Sequence, residues 1–177
     1  MKTDKLHAGA SFPALQAFDD DGAPVDVAIP NGDSDWRMLV VYRGRHCPLC
    51  TKFLNALASF RERLLDIDID IAAVSADSKI QLDEHRDRLD VSYPIYHGLT
   101  IAQMLSLGLY ISIPRSEEET DHKFAEPGLF VINGDGDVQV VDISNNPFSR
   151  PDLEVLVSGL EWIRKPDNNY PIRGTFR

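Results

Sequence analysis

The chain holds two cysteines, and they stand together as Cys47-Pro48-Leu49-Cys50. They follow the apolar run Met38-Leu39-Val40-Val41-Tyr42 and open a helical pattern. A cysteine reacts as its thiolate, and the unpaired N–H groups at a helix start favour that anion over the neutral thiol. Cys47 is therefore expected to be the acidic, nucleophilic sulfur, because motifs of this kind draw a thiol pKa from about 8.5 down to roughly 3.5 to 7.5. Cys50, one helical turn further on, lies on the same face and is placed to close a short disulfide. An adduct or sulfenic acid on Cys47 would then be resolved within the chain. Pro48 falls in the first helical turn, where its missing N–H costs nothing. Arg43, Arg45 and His46, all within four residues upstream of Cys47, can add positive potential if they point inward.

Two other readings of the pair exist. Free cysteines also serve as small apolar core residues, but a C-x-x-C at a strand-to-helix junction is the context of redox chemistry. C-x-x-C also begins many zinc sites. A structural zinc requires four ligands, however, and no second C-x-x-C or H-x-x-x-H follows. His46 would be a third ligand only with a remote fourth, so neither a metal nor a cofactor is expected. His7, His85, His97 and His122 are isolated in sequence, and Trp36 and Tyr42 read as strand packing.

The elements that must position the cysteines follow from hydrophobic periodicity. Residues 9–18 read as an extended segment ending in an acidic turn, and 25–29 as a short strand. Residues 37–42 form an apolar strand of the kind buried on both faces. From Cys47 onward Phe53, Leu54, Leu57, Phe60 and Leu64 recur at helical spacing. Residues 67–75 return as a strand, which makes a parallel strand-helix-strand unit. A largely solvated helix over 78–89, a short extended stretch at 94–96 and a helical turn or two over 100–107 follow. The polar, acidic stretch 114–126 has no periodicity and reads as a mobile loop near the site. Residues 129–133 and 138–143 flank a glycine-containing turn and form a hairpin. A helix beginning at Ser149-Arg150-Pro151-Asp152 buries Leu153, Leu156, Leu160 and Ile163, and an irregular tail over 170–175 ends the chain.

At 177 residues with 43% apolar side chains, the chain is expected to form one domain, 1–177, with a full core. A formal charge of -10 repels phosphate backbones, so nucleic acid is not an expected partner. No run of eighteen apolar residues suggests a membrane span, and the polar start from Met1 to His7 lacks the apolar core of a secretion signal. A cytoplasmic protein is expected, where C-x-x-C is more often catalytic than a structural staple.

The segments 42–50 (Tyr42-Arg43-Gly44-Arg45-His46-Cys47-Pro48-Leu49-Cys50), 127–133 (Pro127-Gly128-Leu129-Phe130-Val131-Ile132-Asn133), 149–152 and 170–174 resemble the peroxiredoxin-like branch of the AhpC/TSA group, from about Gly9 onward. The resemblance implies an α/β, thioredoxin-like fold: a central mixed sheet flanked by helices, with a peroxiredoxin-type N-terminal extension. It implies attack by Cys47 on a hydroperoxide or a disulfide, resolution by Cys50, reduction by thioredoxin, glutathione or a similar dithiol donor, and it leaves room for a homodimer. The family's peroxide-orienting pattern P-x-x-x-T-x-x-C is not met, since Val40 and Gly44 stand where Pro and Thr would be and Pro127 stands where an Arg would be. Pro127 instead resembles the cis proline that faces the dithiol in thioredoxins, which places Glu126 near Cys47. A carboxylate there would raise the thiol pKa. Either Arg43 or Arg45 is expected to replace the missing Arg, and His46 to act as a proton donor or as an exposed rim residue. A redox sensor whose disulfide switches a partner surface without turnover is the alternative to an enzyme.

Overall fold

The computed structural model describes residues 4–176; Met1–Thr3, part of the polar start, and Arg177 lie outside the described residues. Five strands form the central mixed sheet: β3 (Trp36–Val41), β4 (Ile69–Val74), β5 (Ile95–Tyr96), β8 (Gly128–Ile132) and β9 (Val138–Ile143). Their order is β5-β4-β3-β8-β9. β3 runs parallel to β4 and antiparallel to β8, so the strand that leads into the cysteines occupies the centre of the sheet. A hairpin of β1 (Gln16–Phe18) with β2 (Pro24–Asp26) forms the N-terminal extension.

Alternation along β3 builds two cores. Met38, Val40 and Tyr42 pack on one face with Leu54 and Leu57 of α1 (Pro48–Ala58) and Val157 and Leu160 of α5 (Leu153–Ile163). Leu39 and Val41 pack on the other with Met104 of α4 (Ile101–Ser106), Leu15 and Val27. Period-two alternation with both faces covered is what a central strand of this type requires. Within β3 the exception to apolar character is Arg37, 1% exposed, which donates to Asp70 of β4 across 2.8 Å.

The fold departs from the sequence reading at four places. The helix expected to run through Leu64 divides into α1 and α2 (Arg61–Leu65) where the Ser59 and Phe60 N–H groups turn to the carbonyls three residues back, Ala56 at 3.2 Å and Leu57 at 3.0 Å, a tightening that ends the α-helical ladder. The helix over 79–86, α3, is less solvated than its charges suggest, with Leu82 and His85 fully buried. The 114–126 stretch contains strand β7 (Phe124–Ala125), which pairs with β6 (Ile111–Ser112) and is buried. Helix α5 starts at Leu153, not at Ser149: Asp152 caps it by accepting the Val155 N–H at 2.9 Å. Proline at 151 disfavours helical backbone at the residue before it, so Arg150 is left outside the helix.

Candidate active site

Cys47 is the N-cap of α1, with Pro48 in the first turn. Its sulfur accepts the Cys50 backbone N–H at 3.2 Å, the capping bond a helix start requires. The approach to it is fixed by Gly44, whose φ of +138° and whose contact with the Asp77 carboxylate leave no room for a side chain. The Cys47 N–H then donates to the Gly44 carbonyl at 3.1 Å. Asp77 is itself tied down from the loop, its Oδ2 accepting the Arg45 N–H at 2.7 Å. On the other side Thr51 donates to the Cys47 carbonyl at 3.3 Å and lies 2.8 Å from Nε2 of the buried His85, which fastens the first turn of α1 to α3.

Both cysteines are reduced; Cys47 is 2% exposed and Cys50 fully buried. The guanidinium of Arg150 donates from Nη2 to the Cys50 sulfur at 3.0 Å. Arg150 is held there by a second bond to the Pro147 carbonyl and by stacking over Phe53, 4.8 Å from the ring centre. Burial alone pushes the Cys50 thiol up, but hydrogen bonding with Cys47 and the charge and hydrogen bond of Arg150 outweigh it and bring the thiol down to about 6. Cys47 moves the other way: hydrogen bonding to Cys50, burial and the charge of Cys50 raise it. The expectation that Cys47 holds the anion is thus corrected. The helix start provides one N–H to Cys47, whereas Cys50 receives a full cationic charge, and charge-assisted bonds are roughly twice as strong as neutral ones.

The other residues singled out in the sequence are near the motif, but their side chains do not act on the sulfurs as expected. The Arg43 backbone hydrogen bond helps lower the Cys50 thiol, while its side chain turns to Glu126, 3.2 Å away, and stacks over Phe124 at 4.7 Å. Glu126 accepts from Arg43 and, at 2.6 Å, from the Ser112 hydroxyl. Arg45 reaches outward to Glu84 at 3.3 Å. Neither arginine replaces the missing family Arg with its side chain. His46 is neither a rim residue nor a cationic proton donor: it packs on Phe124 at 4.6 Å between ring centres, and burial and Arg43 push it down to about 4. Pro127 is buried beside the end of β3, but its peptide bond is trans, since no cis peptide occurs among the described residues. The Pro127 carbonyl instead accepts the Ser144 N–H at 3.1 Å, continuing the ladder of β8 with the strand after it.

Arg150 is the site residue that pattern reading missed. The available signal was local: an arginine immediately before Pro-Asp at a helix start is held in extended backbone and free to reach back over the sheet. His122, 3.6 Å from Asp77, and Asp77 itself also border the approach to Cys47 without any sequence motif to mark them.

Curated proteins show no significant match to this sequence. Among solved structures, the peroxiredoxin-like protein from Aquifex aeolicus superposes with a TM-score of 0.74 at 13% identity, covering 92% of this chain and 90% of that one. Peroxiredoxin 6 of Arenicola marina gives 0.71 at 18% identity over 87% and 71% of the two chains, and Mycobacterium tuberculosis AhpC 0.69 at 15% over 92% and 100%. At such identities these likenesses speak for the thioredoxin-like fold, which the mixed sheet and the N-terminal hairpin described above display. The sequence pattern of the AhpC/TSA family matches residues 8–141, a span that includes the hairpin, the dithiol and both strands beside β3. That match supports thiol-dependent oxidoreductase or peroxidase chemistry, and with a cysteine at the start of α1 and a second in its first turn, the chain belongs to the AhpC/TSA family.

Proposed function

We propose that the protein is a dithiol oxidoreductase that reduces hydroperoxides or disulfides by cycling between the Cys47/Cys50 dithiol and an intramolecular disulfide. The observation that carries this reading is the pair itself: two free thiols at one helix start, one of them held against the Arg150 guanidinium. Cys47, the one with any exposure, attacks the substrate, and its proton passes to the neighbouring Cys50 sulfur as it does so. With a hydroperoxide, the S–O bond forms as the O–O bond breaks, the departing alkoxide takes that proton, and Cys47 is left as a sulfenic acid. The Cys50 thiolate then attacks the Cys47 sulfur and expels hydroxide, and the two electrons given to the peroxide are those lost in forming the disulfide. With a disulfide substrate, the first step releases a thiolate and the second releases the other. A dithiol donor such as thioredoxin, or glutathione, restores the reduced pair.

The absence of a Thr at Gly44 and of an Arg at Pro127 removes the family's usual contacts to peroxide oxygens, so disulfides stand beside hydroperoxides as substrates. Turnover of hydroperoxide and of a small disulfide, coupled to a thioredoxin system, is measured for wild type, Cys47→Ser and Cys50→Ser. Cys47→Ser should abolish both reactions, and Cys50→Ser should trap a sulfenic acid or mixed disulfide on Cys47, visible by mass spectrometry. Wild-type turnover in both variants, or an adduct that forms on Cys50 in Cys47→Ser at the wild-type rate, would refute the assignment.

A further inference from the structure

A cavity of about 830 Å³ opens between α5, the edge strand β9 and the N-terminal segment. Neither cysteine nor Arg150 lines it, so it is distinct from the dithiol. Its walls are apolar, with Val140, Leu156 and Trp162 prominent, and its size falls in the range of about 300–1,000 Å³ typical of small-molecule sites.

Two independent features say what it would hold. The first is charge. The chain has 28 acidic residues against 18 lysines and arginines, yet among the described residues the lining includes Lys5, His7 and Arg173 and no carboxylate. Lys5 and Arg173 take part in no ion pair among the described residues. Lys5 donates to the Gly108 carbonyl at 2.5 Å and lies 3.3 Å from the Tyr110 ring centre, and Arg173 lies 4.8 Å from that of Tyr170, so each cation is held in place with no carboxylate partner among the described residues. The second is Gly159. Glycine is unfavourable in a helix interior, yet a Cβ at Gly159 would meet nothing within 4 Å, so no neighbouring group requires it. What it does is leave the wall of the cavity bare.

We infer that this cavity binds an amphipathic anion, a fatty-acid carboxylate, with the tail against α5 and β9 and the head group at Lys5 and Arg173. An apolar trough with unneutralised cations at its rim is complementary to that chemistry and to little else in a strongly acidic protein. The inference does not depend on the dithiol turning over.

Decanoate, with decanol as its uncharged counterpart, is titrated into the full chain by calorimetry and by tryptophan fluorescence, Trp162 being the one of the two tryptophans that lines the cavity. Saturable binding of decanoate is expected, with at least tenfold weaker binding in Gly159→Leu. Arg173→Glu, at an exposed position, should weaken decanoate at least fivefold and leave decanol unchanged. Circular dichroism checks that Gly159→Leu is folded, and Arg173→Glu carries the test if it is not. The inference is overturned if decanoate does not saturate, if both folded variants bind it as wild type does, or if sedimentation shows a dimer that Gly159→Leu dissociates.

Discussion

The Arg150 guanidinium and the Cys50 sulfur, 100 residues apart in sequence, lie 3.0 Å apart in the fold, and this bond adds to the hydrogen bond from Cys47 in lowering the Cys50 thiol. Removing it leaves a buried sulfur with less to stabilise its anion. Hydrogen bonds to charged groups contribute about 1.5–3 kcal/mol, which corresponds to roughly 1–2 pKa units. Arg150→Met should therefore raise the thiolate titration, followed by absorbance at 240 nm, from about 6 by that amount, and Arg150→Lys should restore part of it. Because the thiol pKa is depressed in the folded protein, its contribution to stability is full above the unfolded value and fades as pH falls through about 6; Arg150→Met should flatten that fall.

Gly44 combines a backbone conformation closed to other residues with direct contact on the buried Asp77 carboxylate. Gly44→Ala should cost at least about 1–3 kcal/mol from the backbone alone. For a chain of this length each kcal/mol lowers the melting temperature by about 2–4 °C. In Gly44→Ala/Asp77→Ala, referred to Asp77→Ala, the collision disappears while the φ cost stays, so calorimetry of the three variants separates the contributions.

His85 and His46 are both pushed down to about 4, first by burial and then by neighbouring cations. Each is neutral in the folded protein, while the unfolded chain takes up protons below about 6.5. Stability should hence be full above pH 6.5 and decline as pH falls toward 4. For the fully buried His85 the loss is roughly 2–3 kcal/mol at most. Urea denaturation across this range should show a shallower decline for His85→Gln than for wild type.

Arg37 and Asp70 form a buried ion pair between the two central parallel strands, and Asp70 also accepts the Asn31 N–H at 2.8 Å. Asp70→Ala strands a buried guanidinium and should destabilise by about 3–5 kcal/mol. Arg37→Met/Asp70→Leu, which removes both charges, should recover most of that loss in chemical denaturation, because a matched apolar pair has no desolvation penalty to offset.

The central strand, the parallel strand-helix-strand unit, the β8–β9 hairpin and the last helix were legible because each is a local pattern of apolar spacing. The break at Ser59 and the short pairing of β6 with β7 were not. A switch to bonds three residues back ends α1, and Phe124 is buried against His46 and Arg43, neither of which leaves a periodic trace. Arg43 and Glu126 illustrate the same limit at the site. Both lie close to the motif, yet their side chains pair with each other across 83 residues, a contact no local pattern marks.

By itself the sequence determined the nature of the chemistry: two thiols one helical turn apart, the first at a helix start, with the strand that carries them into the middle of a sheet. Spacing along a helix and alternation along a strand are properties of neighbouring residues, so they can be read in order. Which sulfur bears the charge was settled only by the tertiary structure. An electrostatic field at a buried atom sums over whatever surrounds it in space, and here its largest cation comes from a loop just before the final helix, far along the chain from the thiol it stabilises.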